Sequence, residues 1–294
     1  MSELRNRRKR KEQKKEHLDA LCLSGGGING IATLGALEYF FRIFEMENIS
    51  KFCGTSIGAI ISLLVLCGYR PREILERLLC EGDICLPLSK LSFFTNYGLN
   101  DSSPLEKKLG ELLEQKYGFV PTLSELFSLT KKEFVCVSAN LSAMRIEYFS
   151  RTTKPNMSCV EAVLLSCNAP GVFKKREYLG STYADGGIFD NYPLSIFDDG
   201  ETKILGINIA SSNFSGEVGN FFDYMHRLMS FAAVQNSEKT YSPLVMNIRL
   251  RVEEFAFNLF VPDERKIELF GIGHLEASKA FRELSELKET LEMH

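Results

Sequence analysis

Ile49-Ser50-Lys51-Phe52-Cys53-Gly54-Thr55-Ser56-Ile57-Gly58, running straight into Ala59-Ile60-Ile61-Ser62-Leu63-Leu64-Val65-Leu66, is the stretch that decides how the chain is read. A short apolar run (Ile49 to Cys53) and a longer one (Ala59 to Leu66) flank Ser56, which sits between Gly54 and Gly58. That is the layout of a nucleophile elbow, a strand that turns sharply into a helix and pushes a serine hydroxyl out of the backbone. The glycines have a steric job there. Neighbouring chain comes too close for a Cβ, and the backbone of the serine itself is strained. Five residues of this kind occur often by chance, so the surrounding sequence has to carry the reading.

Outward from the elbow the pattern is β/α. Leu18 to Leu23 reads as a short apolar strand, followed by Ser24-Gly25-Gly26-Gly27 and a helical stretch from about Ile28 to Met46. Ile49 to Cys53 is the second strand, Ile57 to about Cys67 its helix, and Pro71 opens another helix in the first-turn position. Residues 82–102 read as irregular yet apolar, and Ser103 as the cap of a helix to Tyr117, with Pro104 at its first position and Glu106 three residues after the cap. Phe134 to Leu141 and Ile146 to Ser150 predict strands around a turn, Ser158 to Cys167 an apolar helix, and Tyr178 to Ala184 one strand. Lys203 to Ala210 and Pro243 to Leu250 are further strands. A long amphipathic helix from Asp263 to about Glu292 is expected to turn Ile267, Phe270, Leu275, Ala280, Phe281, Leu284 and Leu287 inward. No internal repeat or Gly/Ser/Pro-rich linker divides residues 18–294. They predict one α/β domain whose mainly parallel sheet is covered on both faces.

Gly25-Gly26-Gly27-Ile28-Asn29-Gly30 joins the first strand to a helix N-terminus, where consecutive N–H groups converge, helped by the helix dipole. Phosphate binding and an oxyanion hole both use such a turn. A dinucleotide site also expects a carboxylate at the end of the second strand, and this chain has the Ser56 elbow there, which favours the oxyanion hole. A tight turn without a chemical role is the remaining alternative. For a base, none of the four histidines stands beside a glycine turn: His17 adjoins the basic arm, His294 is the last residue, and His226 and His274 fall in predicted helices. Asp185 directly follows a strand and precedes Gly186-Gly187, a place where open α/β sheets put their sites; a loop-capping aspartate is the bland alternative. A Ser56–Asp185 pair is demanding chemistry, because an unperturbed carboxylate near pKa ~3.9 is a weak base. Burial would have to raise that pKa, and the oxyanion hole would have to hold the developing charge strongly.

The composition, 45% apolar and 25% charged over 294 residues, is that of an ordinary globular core. The net charge of −3 hides an asymmetry: eight basic side chains at 5–15 give residues 1–16 a net of +5, leaving −8 for the rest. The arm, residues 1–17, has almost no apolar side chains to bury and is expected to be disordered. A nuclear-import signal, an electrostatic anchor for anionic lipid and a solvated tail all fit it. The acidic body and the lack of a recognition motif argue against nucleic acid as the main partner. No apolar run is long enough for a bilayer, and the polar Glu12 to Asp19 is unlike a signal peptide. The eight cysteines form no C-x-x-C pair and read as reduced, buried thiols. An intracellular protein is expected, cytoplasmic or peripheral to a membrane, with the nucleus open.

The three pieces in this order, Gly25-Gly26-Gly27-Ile28-Asn29-Gly30, Gly54-Thr55-Ser56-Ile57-Gly58 and Asp185-Gly186-Gly187, resemble the patatin-like phospholipases. Ser166-Cys167-Asn168-Ala169-Pro170-Gly171-Val172-Phe173 and Asn191-Tyr192-Pro193 are similar to that family as well, so the resemblance covers roughly residues 18–210. It implies a three-layer α/β/α sandwich and calcium-independent, phospholipase A-type hydrolysis of acyl esters, with no metal and no cofactor. Ser56 would be the nucleophile, Asp185 the base, and the N–H groups around Gly25, Gly26 and Gly27 the oxyanion hole, with Gly30, Gly54, Gly58, Gly186 and Gly187 shaping the turns. Most members carry Arg or Lys just before the last glycine of the first motif, where this chain has Asn29. That departure leaves one alternative: a patatin-fold lipid-binding, storage or scaffold protein with little turnover. A phospholipid or other lipid ester, met at a membrane surface, is the expected partner. Residues 84–99, with Phe93 and Phe94, read as a lid or cleft wall, or as ordinary core.

Overall fold

The computed structural model describes residues 17–80, 86–87, 96–211, 217–219, 223–224, 227–228, 231, 240–252, 256, 258 and 260–292. In chain order its elements are β1 (Ala20–Leu23), α1 (Gly30–Ile43), β2 (Lys51–Thr55), α2 (Ile57–Leu66), α3 (Pro71–Cys80), β3 (Leu86–Pro87), β4 (Gly98–Asp101), α4 (Ser103–Tyr117), α5 (Leu123–Thr130), β5 (Glu133–Asn140), β6 (Arg145–Phe149), α6 (Cys159–Ser166), β7 (Gly171–Phe173), β8 (Arg176–Tyr178), β9 (Ser181–Asp185), β10 (Ile204–Ser211), β11 (Val245–Val252) and α7 (Asp263–Glu292).

The main sheet runs β11-β10-β1-β2-β5-β9-β8, with β6 also on β5, and β3-β4-β7 make a small second sheet. Its first five strands are parallel. β6, β9 and β8 join antiparallel, so the sheet is mostly parallel but mixed. β1 is buried at all four positions because a central parallel strand meets protein on both faces. On one face Leu21, Leu23 and Phe52 enter the large core with Leu34 and Leu37 of α1 and Ile61 and Leu63 of α2. On the other, Ala20, Cys22, Cys53 and Ile204 lie beneath Tyr192, Leu194 and Phe197. Each such leucine or phenylalanine contributes about 1.5–3 kcal/mol through burial.

One feature of the pairing positions the site. β5 pairs with β2 through Glu133–Val137 and with β9 through Ser138–Asn140, while β6 takes up the overlapping run Cys136–Asn140. A strand has two edges, so β6 occupies one and β2 and β9 share the other. β2 runs up that edge and β9 runs down it. Their C-terminal ends meet, with Thr55 opposite Val137 and Asp185 opposite Ser138.

Several elements differ from the sequence expectation. Tyr178 to Ala184 is not one strand but the hairpin of β8 and β9, because Leu179 and Gly180 both take positive φ, 47° and 77°. β2 starts and ends two residues later than expected, so Gly54 and Thr55 are still strand. Ser103 is the first helical residue of α4 and Ser102 its cap; the Ser103 N–H is instead held by Asp101 Oδ1 at 2.8 Å. α5 has no counterpart in the expectation, although its Thr122–Glu125 capping box is a local signal. Along α7 the inward stripe is centred on Leu269 and Ala277, both fully buried, with Phe270, Ala280, Phe281 and Leu284 packed beside it. Ile267 and Leu275 face outward. The basic arm, His226, His294 and most of residues 84–99, Phe93 and Phe94 included, lie outside the described residues. Cys22, Cys53, Cys67, Cys136, Cys159 and Cys167 are buried free thiols, as expected. Among the described residues no helix is long and apolar enough to cross a membrane.

Candidate active site

Ser56 stands at the junction of β2 and α2 with φ 53° and ψ −129°, a backbone conformation that costs a non-glycine residue about 1–3 kcal/mol. Three interactions hold it there. Its carbonyl accepts the first bonds of α2, from the N–H groups of Ala59 (2.8 Å) and Ile60 (3.3 Å). Its own N–H donates to Ser166 Oγ at 2.9 Å. Thr55 Oγ1 donates to the carbonyl of Asp190 at 2.8 Å, tying the elbow to the chain beyond Asp185. Gly58 makes the turn sterically feasible, since a Cβ there would stand 2.5 Å from the carbonyl oxygens of both Leu23 and Ser24.

The Ser56 hydroxyl donates to Asp185 Oδ2 at 2.7 Å. Asp185 is buried, and its second oxygen accepts the N–H of Gly187 at 2.7 Å. Burial pushes the Asp185 carboxyl up to about 6, against the opposing pull of the Ser56 hydroxyl and the Gly187 N–H. Asp185 is fixed from behind as well. Its N–H donates to the carbonyl of Asn168 (2.9 Å), and Ser138 Oγ bonds the carbonyls of Ala184 and Leu165, both at 3.0 Å. Sequence reading brings Ser56 and Asp185 forward one by one; the shared edge of β5 brings them together.

The glycine loop lies beside them. Gly25 N–H donates to the carbonyl of Asn191 at 3.1 Å, and Ile28 N–H to that of Ala256 at 3.0 Å. Among the described residues no acceptor meets the N–H of Gly26 or Gly27. Of the three glycines expected around an oxyanion hole, Gly25 thus has its N–H taken up by Asn191. Gly27 is obligatory on two counts: its φ is 56°, and a Cβ would overlap the Ala256 carbonyl. The short helical turn Gly27–Asn29 and α1 follow at once, so α1 and α2 both begin at the cavity that Gly27, Gly30 and Ser56 line. Asn29 is buried in that turn.

A family model of the patatin-like phospholipases matches residues 21–198, which contain Ser56, Asp185 and the glycine loop. The chain belongs to the patatin-like phospholipase family. Similar proteins include uncharacterized protein R571 of Acanthamoeba polyphaga mimivirus, 29% identical over 86% of this chain and 90% of that one. A probable lipid hydrolase, 463L, of Invertebrate iridescent virus 6 is 31% identical over 62% of this chain and 64% of its own length. Among solved structures, VipD from Legionella pneumophila superposes with a TM-score of 0.57 at 18% identity, over 91% of this chain and 67% of that one. That likeness bears on the fold.

Within this patatin fold the hydroxyl opens onto an apolar cavity of ≈ 160 Å³. Ile57, Ile60, Ile61 and Leu64 line it, a single face of α2 at helical spacing that runs about 12 Å away from Ser56. Leu109 and Leu112 of α4 line it as well. Tyr69 stands toward the end of α2 farthest from Ser56, its hydroxyl bonded to the Leu112 carbonyl at 2.7 Å. Neither described histidine belongs to this site. His17 pairs with Asp19 and His274 stacks edge-on against Tyr39. Two residues of the site, Ser166 and Asn191, carry roles that their motifs alone do not disclose. One holds the backbone of Ser56 and the other the glycine loop, and both depend on contacts distant in sequence.

Proposed function

We propose that this chain is a lipid acyl hydrolase of the phospholipase A type, with Ser56 as nucleophile and Asp185 as general base. The observation that carries the reading is the 2.7 Å bond from the strained Ser56 hydroxyl to a buried carboxylate, at the mouth of an apolar cavity. With an acyl chain lying along α2, Ser56 Oγ attacks the ester carbonyl carbon and its proton passes to Asp185 Oδ2. The N–H groups of Gly26 and Gly27 hold the negative charge on the carbonyl oxygen, a contribution of several kcal/mol in such sites. The tetrahedral species collapses, the C–O bond to the alcohol breaks, and the leaving oxygen takes the proton from Asp185. Water then attacks the acyl-serine, giving its proton to Asp185. Collapse releases the fatty acid and returns the proton to Ser56 Oγ.

A carboxylate whose pKa is about 6 is a better base than an exposed aspartate, yet it is still ionised at neutral pH. Family membership and the 31% identical probable lipid hydrolase support an ester of a phospholipid or related lipid as substrate. Mass spectrometry of fatty acids released from mixed phospholipid vesicles tests this. Free fatty acid and lysophospholipid are expected in equal amounts, and unchanged by EDTA. Intact vesicles after prolonged incubation with folded protein would instead support the lipid-binding or scaffold alternative.

A further inference from the structure

Met144 and Leu179 are the two most exposed large apolar side chains among the described residues, at 85% and 84%. Both have positive φ, 50° and 47°, in the region that favours glycine and asparagine. Leu179 and Gly180 form the two-residue turn of the β8–β9 hairpin, with φ 47° and 77°. Such a turn prefers Asn-Gly, so a leucine occupies the place that turn chemistry assigns to asparagine. Met144 ends the four-residue turn between β5 and β6, again in a left-handed position. Local rules broken twice, each time in favour of an exposed apolar side chain, point to a use for those side chains.

The two turns are neighbours. Leu141 N–H donates to the Thr182 carbonyl at 2.9 Å, and Thr182 N–H to Ser142 Oγ at 3.0 Å. Leu141, whose N–H joins the two turns, is also exposed. Residues 141–144 and 178–182 contain no charged side chain. Because Ser138 is level with Asp185, both turns lie beyond the Ser56–Asp185 level at the C-terminal end of β5, with Gly180 five residues, roughly 15 Å, further along β9. An uncharged, rigid pair of apolar tips at the active-site end of the sheet suits a bilayer interface better than a charged protein surface.

We propose that Leu141, Met144 and Leu179 form a docking surface that inserts into a lipid bilayer and brings the site to it. This rests on the lipid-hydrolase reading above. The test exploits the turn chemistry: the double variant Leu179→Asn, Met144→Asn suits both backbones, so it is expected to keep or raise Tm. Its binding to pure phosphatidylcholine vesicles, measured by co-sedimentation, is expected to fall about tenfold or more for the two lost side chains. Zwitterionic lipid removes the electrostatic pull of residues 5–15. Turnover of a soluble short-chain ester is expected to stay at the wild-type rate. Unchanged vesicle binding in the folded variant would overturn the proposal. So would unchanged vesicle binding together with loss of self-association in light scattering, which would make the surface an interface between copies. Failure of both proteins on the soluble ester counts against the hydrolase reading instead, and vesicle binding reports on docking independently of it.

Discussion

Asp185→Asn is expected to lower kcat about 10³- to 10⁴-fold, and Ser56→Ala about 10⁶-fold, in a continuous ester-hydrolysis assay. The asparagine is isosteric and can still accept the Gly187 N–H, so the variant removes the base and leaves the shape. The double variant should be no slower than Ser56→Ala, because nucleophile and base act as one unit. The same substitution is expected to affect stability in the opposite sense. The Asp185 carboxyl sits at about 6 in the folded protein against 3.8 for an ordinary aspartate, so the folded state holds the proton more tightly. Its contribution to stability is therefore fully present below the unfolded value and is lost as pH rises through about 6. Asp185→Asn should raise Tm at pH 7.5, and the gain should vanish near pH 4. Equal kcat in wild type and Asp185→Asn would remove Asp185 from the mechanism.

Gly58→Ala is the second large effect. The added methyl would sit 2.5 Å from the carbonyl oxygens of Leu23 and Ser24 and 2.8 Å from the Leu23 carbonyl carbon. These atoms are backbone at the end of a central, fully buried strand and cannot rotate away as a side chain could. Overpacking of this kind costs about 3 kcal/mol, roughly 10 °C in Tm, and it also displaces the elbow. Gly110→Ala, inside α4, is the control: its nearest neighbour is Val120 Cγ2 at 3.8 Å. Alanine there is expected to be neutral or stabilising by about 0.5–1 kcal/mol. If Gly58→Ala matched the control in both Tm and turnover, the steric account of the elbow would fail.

What was legible in the sequence were features with a local cause. The elbow shows because a strained serine demands glycines two positions either side. β1, β2, β10 and β11 show because buried parallel strands read as apolar runs. Hidden features have causes distant in sequence. The β8–β9 hairpin is masked because Leu179 stands where an asparagine would have announced a turn. The inward stripe of α7 is not set by periodicity alone: Ile267 and Leu275 are apolar yet exposed, and the face that packs is chosen by α1. At the site, Ser56, Asp185 and the glycine loop were legible as residue types. That Gly25 is clamped by Asn191, and that Ser166 holds the Ser56 N–H, depends on partners 166 and 110 residues away.

The central claim is that Asp185 alone activates Ser56. It is tested most directly by the rate at which a fluorophosphonate labels the protein across pH 4–9, with the modified residue mapped by mass spectrometry. The account predicts one adduct, on Ser56, forming at a rate that rises with pH to a plateau with its midpoint near 6. In Asp185→Asn that labelling should be slow and the pH step lost. An adduct on another residue, or wild-type labelling whose pH step survives in Asp185→Asn, would contradict it.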